Sequence, residues 1–201
     1  MSAAPAVRRA TPADVPALAS MLARAFLDDP VAGWAFPPAA QRPRALERFQ
    51  AIRLRQLMAG EEIWMAEDRS CAALWAPPLQ WKSTLRQDLQ LMPCFGHPRL
   101  LARVPLVTYG WLRLEGRHPP EPAHYYLAVL GTDPDRQGEG LGSLLMAPVL
   151  AQCDADGLGA YLESSKERNI DFYARHGFQV LEEVTLARGP RMWTMWRDPR
   201  A

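Results

Sequence analysis

Tyr125-Tyr126-Leu127-Ala128-Val129-Leu130-Gly131-Thr132-Asp133-Pro134-Asp135-Arg136-Gln137-Gly138-Glu139-Gly140-Leu141-Gly142-Ser143-Leu144-Leu145 is the stretch that decides the fold. An apolar run, a hinge at Asp133-Pro134, three alternating glycines and a return to apolar residues predict a buried strand, a tight turn and the start of a helix. Gly138, Gly140 and Gly142 let the main chain approach a pyrophosphate closely. The first amides of the following helix then offer unpaired N–H groups and the positive end of the helix dipole. Such a grip requires no metal.

Three chemistries use a glycine-rich strand-to-helix turn, and spacing separates them. A nucleoside-triphosphate loop ends in Gly-Lys-Ser/Thr, whereas this turn runs Gly140-Leu141-Gly142-Ser143 without a lysine. A dinucleotide fingerprint needs Gly or Ala at its third place, where Ser143 stands, and a βαβ unit upstream, which is missing. The run Gln137-Gly138-Glu139-Gly140-Leu141-Gly142 matches a Q/R-x-x-G-x-G/A turn. It resembles the acetyl-CoA loop of the GCN5-related N-acetyltransferase (GNAT) family. Downstream, Asn169-Ile170-Asp171-Phe172-Tyr173-Ala174-Arg175-His176-Gly177-Phe178 is similar to that family's N-x-x-x-(F/L)-Y-x-x-x-G-F segment. Within the family, Leu162-Glu163-Ser164-Ser165 and the ending Gly189-Pro190-Arg191-Met192-Trp193-Thr194-Met195-Trp196 resemble puromycin N-acetyltransferase and its relatives.

The resemblance implies an α/β (α+β) fold whose central mixed, mostly antiparallel sheet is splayed at the acetyl-CoA site and flanked by helices. It implies acetyl-CoA as acyl donor. Backbone amides from Gln137 to Gly142, Gly138 and Gly140 among them, would hold the pyrophosphate together with Ser143, and Arg136 either meets a phosphate or is a surface residue. Val129, Leu130 and Thr132 would pair through their backbones with the pantetheine arm. Asn169 is both a helix cap and a cofactor contact in that pattern. Tyr173 would stand beside the sulfur and protonate the departing thiolate, a task open to a phenol of pKa about 10; the same tyrosine also fits as core filler on a short helix.

Composition narrows the function classes. A chain of 201 residues, 48% hydrophobic, can bury a proper core and is read as one domain over 1–201, which the resemblance implies is an N-acetyltransferase domain. Its 23 basic and 22 acidic residues leave a net charge of +1, which argues against nucleic acid or an anionic membrane as partner. Cys71, Cys94 and Cys153 have no disulfide or zinc-ligand spacing, so a reducing compartment and no metal are expected. No segment reads as a secretory core or a membrane span, which makes a cytoplasmic protein the residual reading, as monomer or homodimer.

Along the chain, Ala6–Ala10 is predicted as a first strand. Thr11-Pro12-Ala13-Asp14 should start a helix running to about Leu27 with Val15, Leu18, Leu22 and Phe26 on its core face. Residues 31–38 read as an aromatic loop, followed by a helix ending near Gly60. Strands are expected over Glu62–Ala66 and Cys71–Ala76. Residues 80–117 read as two helices and a joint. A strand over His124–Leu130, the glycine turn, a helix to about Asp156, a strand over Ala160–Glu163, a helix over Asn169–His176 and two last strands complete the list.

The general base is the open point. Many proteins of this resemblance carry a glutamate on the strand before the glycine turn, where this chain has Tyr125, Tyr126, Ala128 and Leu130. Glu163, at the end of the next strand, is the first candidate, His124 the second and a chain of waters the third. The expected reaction is direct attack of a primary amine of a small molecule, of which a puromycin-like antibiotic is one example, on the thioester. A silent acyl-CoA sensor and a protein or peptide N-acetyltransferase are the alternatives. Phe26, Trp34, Phe36, Trp64 and Trp75 are candidate acceptor-pocket residues, or ordinary core.

Overall fold

Mostly apolar runs form the middle of one sheet, and half-polar runs form its edges. The computed structural model describes residues 5–200. Its strands are β1 (Val7–Arg9), β2 (Ile63–Ala66), β3 (Cys71–Ala76), β4 (His124–Thr132), β5 (Gly159–Ser164), β6 (Gln179–Thr185) and β7 (Arg191–Arg197). They form a seven-stranded sheet in the order β1-β2-β3-β4-β5-β7-β6. Only the β4–β5 pair is parallel, so the sheet is mixed and mostly antiparallel, as expected. All six residues of β3 are buried because helices cover both faces.

On one face, α1 (Val15–Ala25) and α3 (Arg42–Leu57) place Leu18, Leu22 and Leu54 against Met65, Ala72, Leu74 and Val129. On the other, α7 (Leu141–Asp156) packs Leu145, Met146, Val149 and Cys153 against Ala73, Trp75, Leu127 and Leu162. A third cluster joins α2 (Pro30–Ala35) to α3 and to the segment between β3 and β4. Together with α2, that segment forms a roof on the α1 and α3 side of the sheet.

Two expectations about this roof are corrected. Residues 31–38 are not simply a loop, because Asp29 accepts from the amides of Val31 (2.9 Å) and Ala32 (3.2 Å) and Pro30 supplies a preset first turn, so α2 forms. Residues 80–117 hold more pieces than two helices: α4 (Leu85–Gln90), a 3-10 turn over Met92–Phe95, α5 (Pro98–Leu101) and α6 (Val104–Glu115). Pro93, Pro98 and Pro105 each restart the chain at a first-turn position. The first helix also stops at Ala25, short of Leu27.

In β4, Leu74 pairs with Val129 while Trp75 pairs with Leu127, so Ala128 is an extra, bulged residue. The bulge resets the alternation. Leu127 packs under α7, yet Val129 and Gly131 turn toward α1, where a Cβ on Gly131 would stand 2.5 Å from Leu22.

The first turn is locked by charge. Asp14 is buried, receives two hydrogen bonds from Arg8 at 2.8 Å and closes a capping box with Thr11. The Arg8 bonds hold its carboxyl far below the usual carboxylate range despite the opposing effect of burial. A depressed folded value means the stabilisation is complete above the unfolded value of about 3.9 and is lost as pH falls through and below it. Asp14→Asn is therefore expected to lower stability by about 1–2 kcal/mol at pH 7 and by less at pH 3. Chemical unfolding of both proteins across that range measures the difference.

Candidate active site

β4 and β5 run side by side only from His124↔Gly159 to Leu127↔Leu162. Beyond that point β4 pairs with β3 alone, and Glu163 and Ser164 pair with β7 alone. The sheet therefore opens into a gap. One lip is Ala128–Thr132, which carries Val129, Leu130 and Thr132, and the other begins at Glu163. The Thr132 hydroxyl lies 3.1 Å from the Cys71 sulfur, leaving its backbone as the group available to a ligand.

The glycine turn lies at the far end of β4. Gly138 (φ +87°) and Gly140 (φ +79°) are in the left-handed region, and a Cβ at either would meet nothing within 4 Å. They give the turn its shape and leave open space in front of it. Gly142 differs: a Cβ there would stand 3.1 Å from Phe172, so its missing side chain also serves packing. Gly140 is the N-cap of α7 and has no side-chain cap. The first-turn amides of a sixteen-residue helix are thus left for another acceptor, which suits a diphosphate.

The neighbours of the turn behave differently from a free phosphate clamp. Arg136 donates to both Glu139 oxygens at 2.8 Å and to Asp68 at 2.9 Å, so its guanidinium is committed to carboxylates. The Gln137 amide donates to the Thr132 carbonyl at 3.4 Å. The Ser143 hydroxyl sits 2.9 Å from His176 Nε2. Asn169 stands at the N-cap position of α8 (Ile170–Ala174), but with φ −87° and ψ −10° it ends a preceding 3-10 turn and makes no side-chain cap. The expected cap is absent for that reason, and the helix is shorter than Asn169–His176.

Tyr173 is buried in α8, edge-on to Phe172 and Phe178. Burial, followed by the nearby Asp29 carboxylate, raises its hydroxyl above the ordinary phenol value. Asp29 also accepts from the Ser165 hydroxyl, two residues past Glu163. The roof helix α2 and the β5 lip are thereby tied to one carboxylate.

Glu163 lies on the roof side of the sheet, its side chain only 8% exposed. His118 Nδ1 is 3.6 Å from its carboxylate. His118 Nε2 is 2.9 Å from His124 Nε2, and His124 Nδ1 is 2.7 Å from the Pro122 carbonyl. Burial, followed by the nearby Glu163 carboxylate, pushes the Tyr126 phenol well above its ordinary value. Tyr161 is fully buried beside them, its hydroxyl without a partner. The two residues predicted as first and second candidates for the base thus share one cluster, bridged by His118.

The aromatic residues proposed for an acceptor pocket do not form one. Trp34, Phe36 and Trp75 are buried core, Phe26 packs between clusters, and Trp64 lies under Arg9 with its indole N–H on Glu62. Among the described residues, no group of three or more His, Cys, Asp or Glu is placed to hold a metal ion, and no helix is long and apolar enough to cross a membrane.

Residues 60–178, more than half the chain, match the model of the acetyltransferase (GNAT) family. The chain belongs to the GNAT family. As a GNAT acetyltransferase it is an acyltransferase enzyme, of a family whose acyl donor is acetyl-CoA. An uncharacterized N-acetyltransferase of Schizosaccharomyces pombe is 26% identical over 91% of this chain and 78% of its own length. A crystal structure of histone acetyltransferase HPA2 and related acetyltransferase from Corynebacterium glutamicum aligns with a TM-score of 0.69 and 25% identity, over 99% of this chain and 98% of its own. The Drosophila melanogaster polyamine N-acetyltransferase, an enzyme that forms N-acetylagmatine, aligns with a TM-score of 0.60 and 17% identity over 96% and 99% of the two chains, a likeness of fold.

Sequence reasoning missed four members of the GNAT site cluster: His118, Tyr126, Tyr161 and Asp29. Tyr126 and Tyr161 are legible in retrospect, because two residues before Ala128 and two before Glu163 lie on the same strand faces. His118 carries no such signal. It precedes Pro119 and Pro120 in an irregular stretch and reaches Glu163 only through the tertiary fold.

Proposed function

We propose that this protein transfers the acetyl group of acetyl-CoA to a primary amine of a small molecule, with Glu163 accepting the amine proton and Tyr173 donating one to the thiol end. The observation that carries the reading is the gap after Leu127 and Leu162, with the glycine turn at one end and a shielded carboxylate on the opposite lip. Bound acetyl-CoA supplies an activated acyl group and its leaving thiol. The chain supplies the rest: the α7 amides and the turn from Gln137 to Ser143 hold the diphosphate, and β4 backbone from Val129 to Thr132 aligns the arm. Asn169 is a further contact, and Arg136 joins only by exchanging Asp68 or Glu139 for a phosphate.

Shielding of Glu163 favours a small acceptor over a polypeptide, because an extended chain needs an open groove on both sides of the carboxylate. A puromycin-like amine fits the sequence resemblance of residues 162–165 and 189–196. We read residues 5–198 as the core of one catalytic domain, working as monomer or homodimer in the cytoplasm. The test is thiol release from acetyl-CoA with a panel of small primary amines and N-terminal peptides. Turnover with small amines is expected. Turnover with peptides alone reverses the acceptor class, and cofactor binding without turnover on any amine turns the reading into a silent sensor.

A further inference from the structure

His118 is the residue around which the cluster is organised. It leaves the end of α6, is 6% exposed, and is stacked at 3.7 Å and 11° by the Trp81 ring, which covers it from outside. Its other neighbours are the rings of Tyr126 and Tyr161 and the imidazole of His124. A ring so enclosed has few places for a proton.

Hydrogen-bond direction limits them further. The Pro122 carbonyl can only accept, so His124 Nδ1 at 2.7 Å carries its proton. Burial lowers His124 below the usual imidazole value, keeping the ring neutral, so its Nε2 is bare. A bare His124 Nε2 at 2.9 Å must receive the proton of His118 Nε2. The opposite assignment would set two lone pairs face to face. What remains is His118 Nδ1, 3.6 Å from a Glu163 oxygen, where two lone pairs oppose each other until a proton is placed between them; that opposition makes the pair a better proton acceptor than either group alone.

We propose that the proton acceptor of this enzyme is the Glu163–His118 pair rather than the carboxylate alone, with His124 as the positioning residue that fixes which His118 nitrogen is basic. The inference rests on the reading of Glu163 as the base. An N–H proton of the acceptor amine is taken by a Glu163 oxygen as the nitrogen gains its bond to the acyl carbon. The proton then moves to His118 Nδ1, leaving a carboxylate against an imidazolium. No oxidant, reductant or further reactant is involved. The other groups facing the pair are Arg53 of α3, Tyr126 and His124 of β4 and Tyr161 of β5. Asp88 of α4 acts on Arg53, and Glu182 of β6, paired with Arg117, acts on Tyr161.

The pairing has a signature that a structural role lacks. A carboxylate backed by an imidazole loses its base form at a higher pH than the same carboxylate acting alone. In His118→Gln the acid limb of the kcat profile is expected to move down by at least one pH unit while the plateau falls about tenfold through a weaker base. A plateau change with the limb unmoved overturns the pairing. A second measurement works on the unaltered protein and needs no turnover. With four histidines in the chain, nitrogen-15 imidazole NMR can follow each ring. Nδ1 of His118 should be bare above its midpoint and protonated below it. A neutral His118 with its proton on Nδ1 overturns the proposal. If Glu163→Gln leaves kcat unchanged, the base reading itself fails. If Glu163→Gln cuts kcat and His118→Gln leaves the limb in place, the pairing alone fails.

Discussion

Glu163→Gln should lower kcat for acetyl transfer by about 10²- to 10⁴-fold at neutral pH, the range for loss of a positioned general base. The amide keeps the shape and one acceptor oxygen, so the fold should be preserved. Affinity for acetyl-CoA should stay within a few-fold, because the glycine turn and the α7 amides lie at the other end of β4. The loss should also depend on the acceptor. An amine of pKa about 8 is deprotonated at pH 7 for about 1.4 kcal/mol, whereas one of pKa about 10.4 needs about 4.6 kcal/mol, so the more basic amine suffers more. Steady-state kinetics with two amines of different basicity, alongside titration calorimetry of the cofactor, check both parts. Equal rates in mutant and parent would remove Glu163 from the chemistry.

Tyr173→Phe is the second large effect, again expected at about 10²- to 10⁴-fold in kcat with cofactor affinity kept. The ring is buried against Phe172 and Phe178, so phenylalanine preserves the packing and should change stability by less than about 1.5 kcal/mol. Filler and acid are thereby separated: filler predicts no change in rate. The raised phenol adds a pH test. A donor held above the usual value of about 10 keeps its proton as pH rises past that point, so Tyr173 should impose no alkaline fall in rate below it. A wild-type rate that declines with a midpoint near 10, and a Tyr173→Phe variant without that decline, would contradict the burial effect.

Much of the scaffold was legible because it is written in local pattern. The run from Tyr125 to Leu145 specifies strand, turn and helix through apolar continuity and glycine placement, and all three form in order. Thr11, Pro12 and Asp14 likewise mark the start of the first helical turn as anticipated. Where reading stopped short, a tertiary partner decides. Asp29-Pro30 looks like the end of one helix, and it also starts the next. The commitment of Arg136 depends on Asp68, which comes from the distant β2–β3 turn. The Ala128 bulge has no sequence mark at all, yet it decides which side chains of β4 face α1. His118 could be reached only by knowing that α6 ends beside the β4–β5 pair.

The double use of Asp29 constrains how the molecule can breathe. One oxygen holds the amides that begin α2, and the other takes the Ser165 hydroxyl just past Glu163. Sliding the canopy helix across the rim would carry Asp29 along and strip a buried anion of its Ser165 partner. The same rim is held to the canopy at its edge by Lys166 on Asp28, so the two are fastened to each other through adjacent carboxylates, one enclosed and one in solvent.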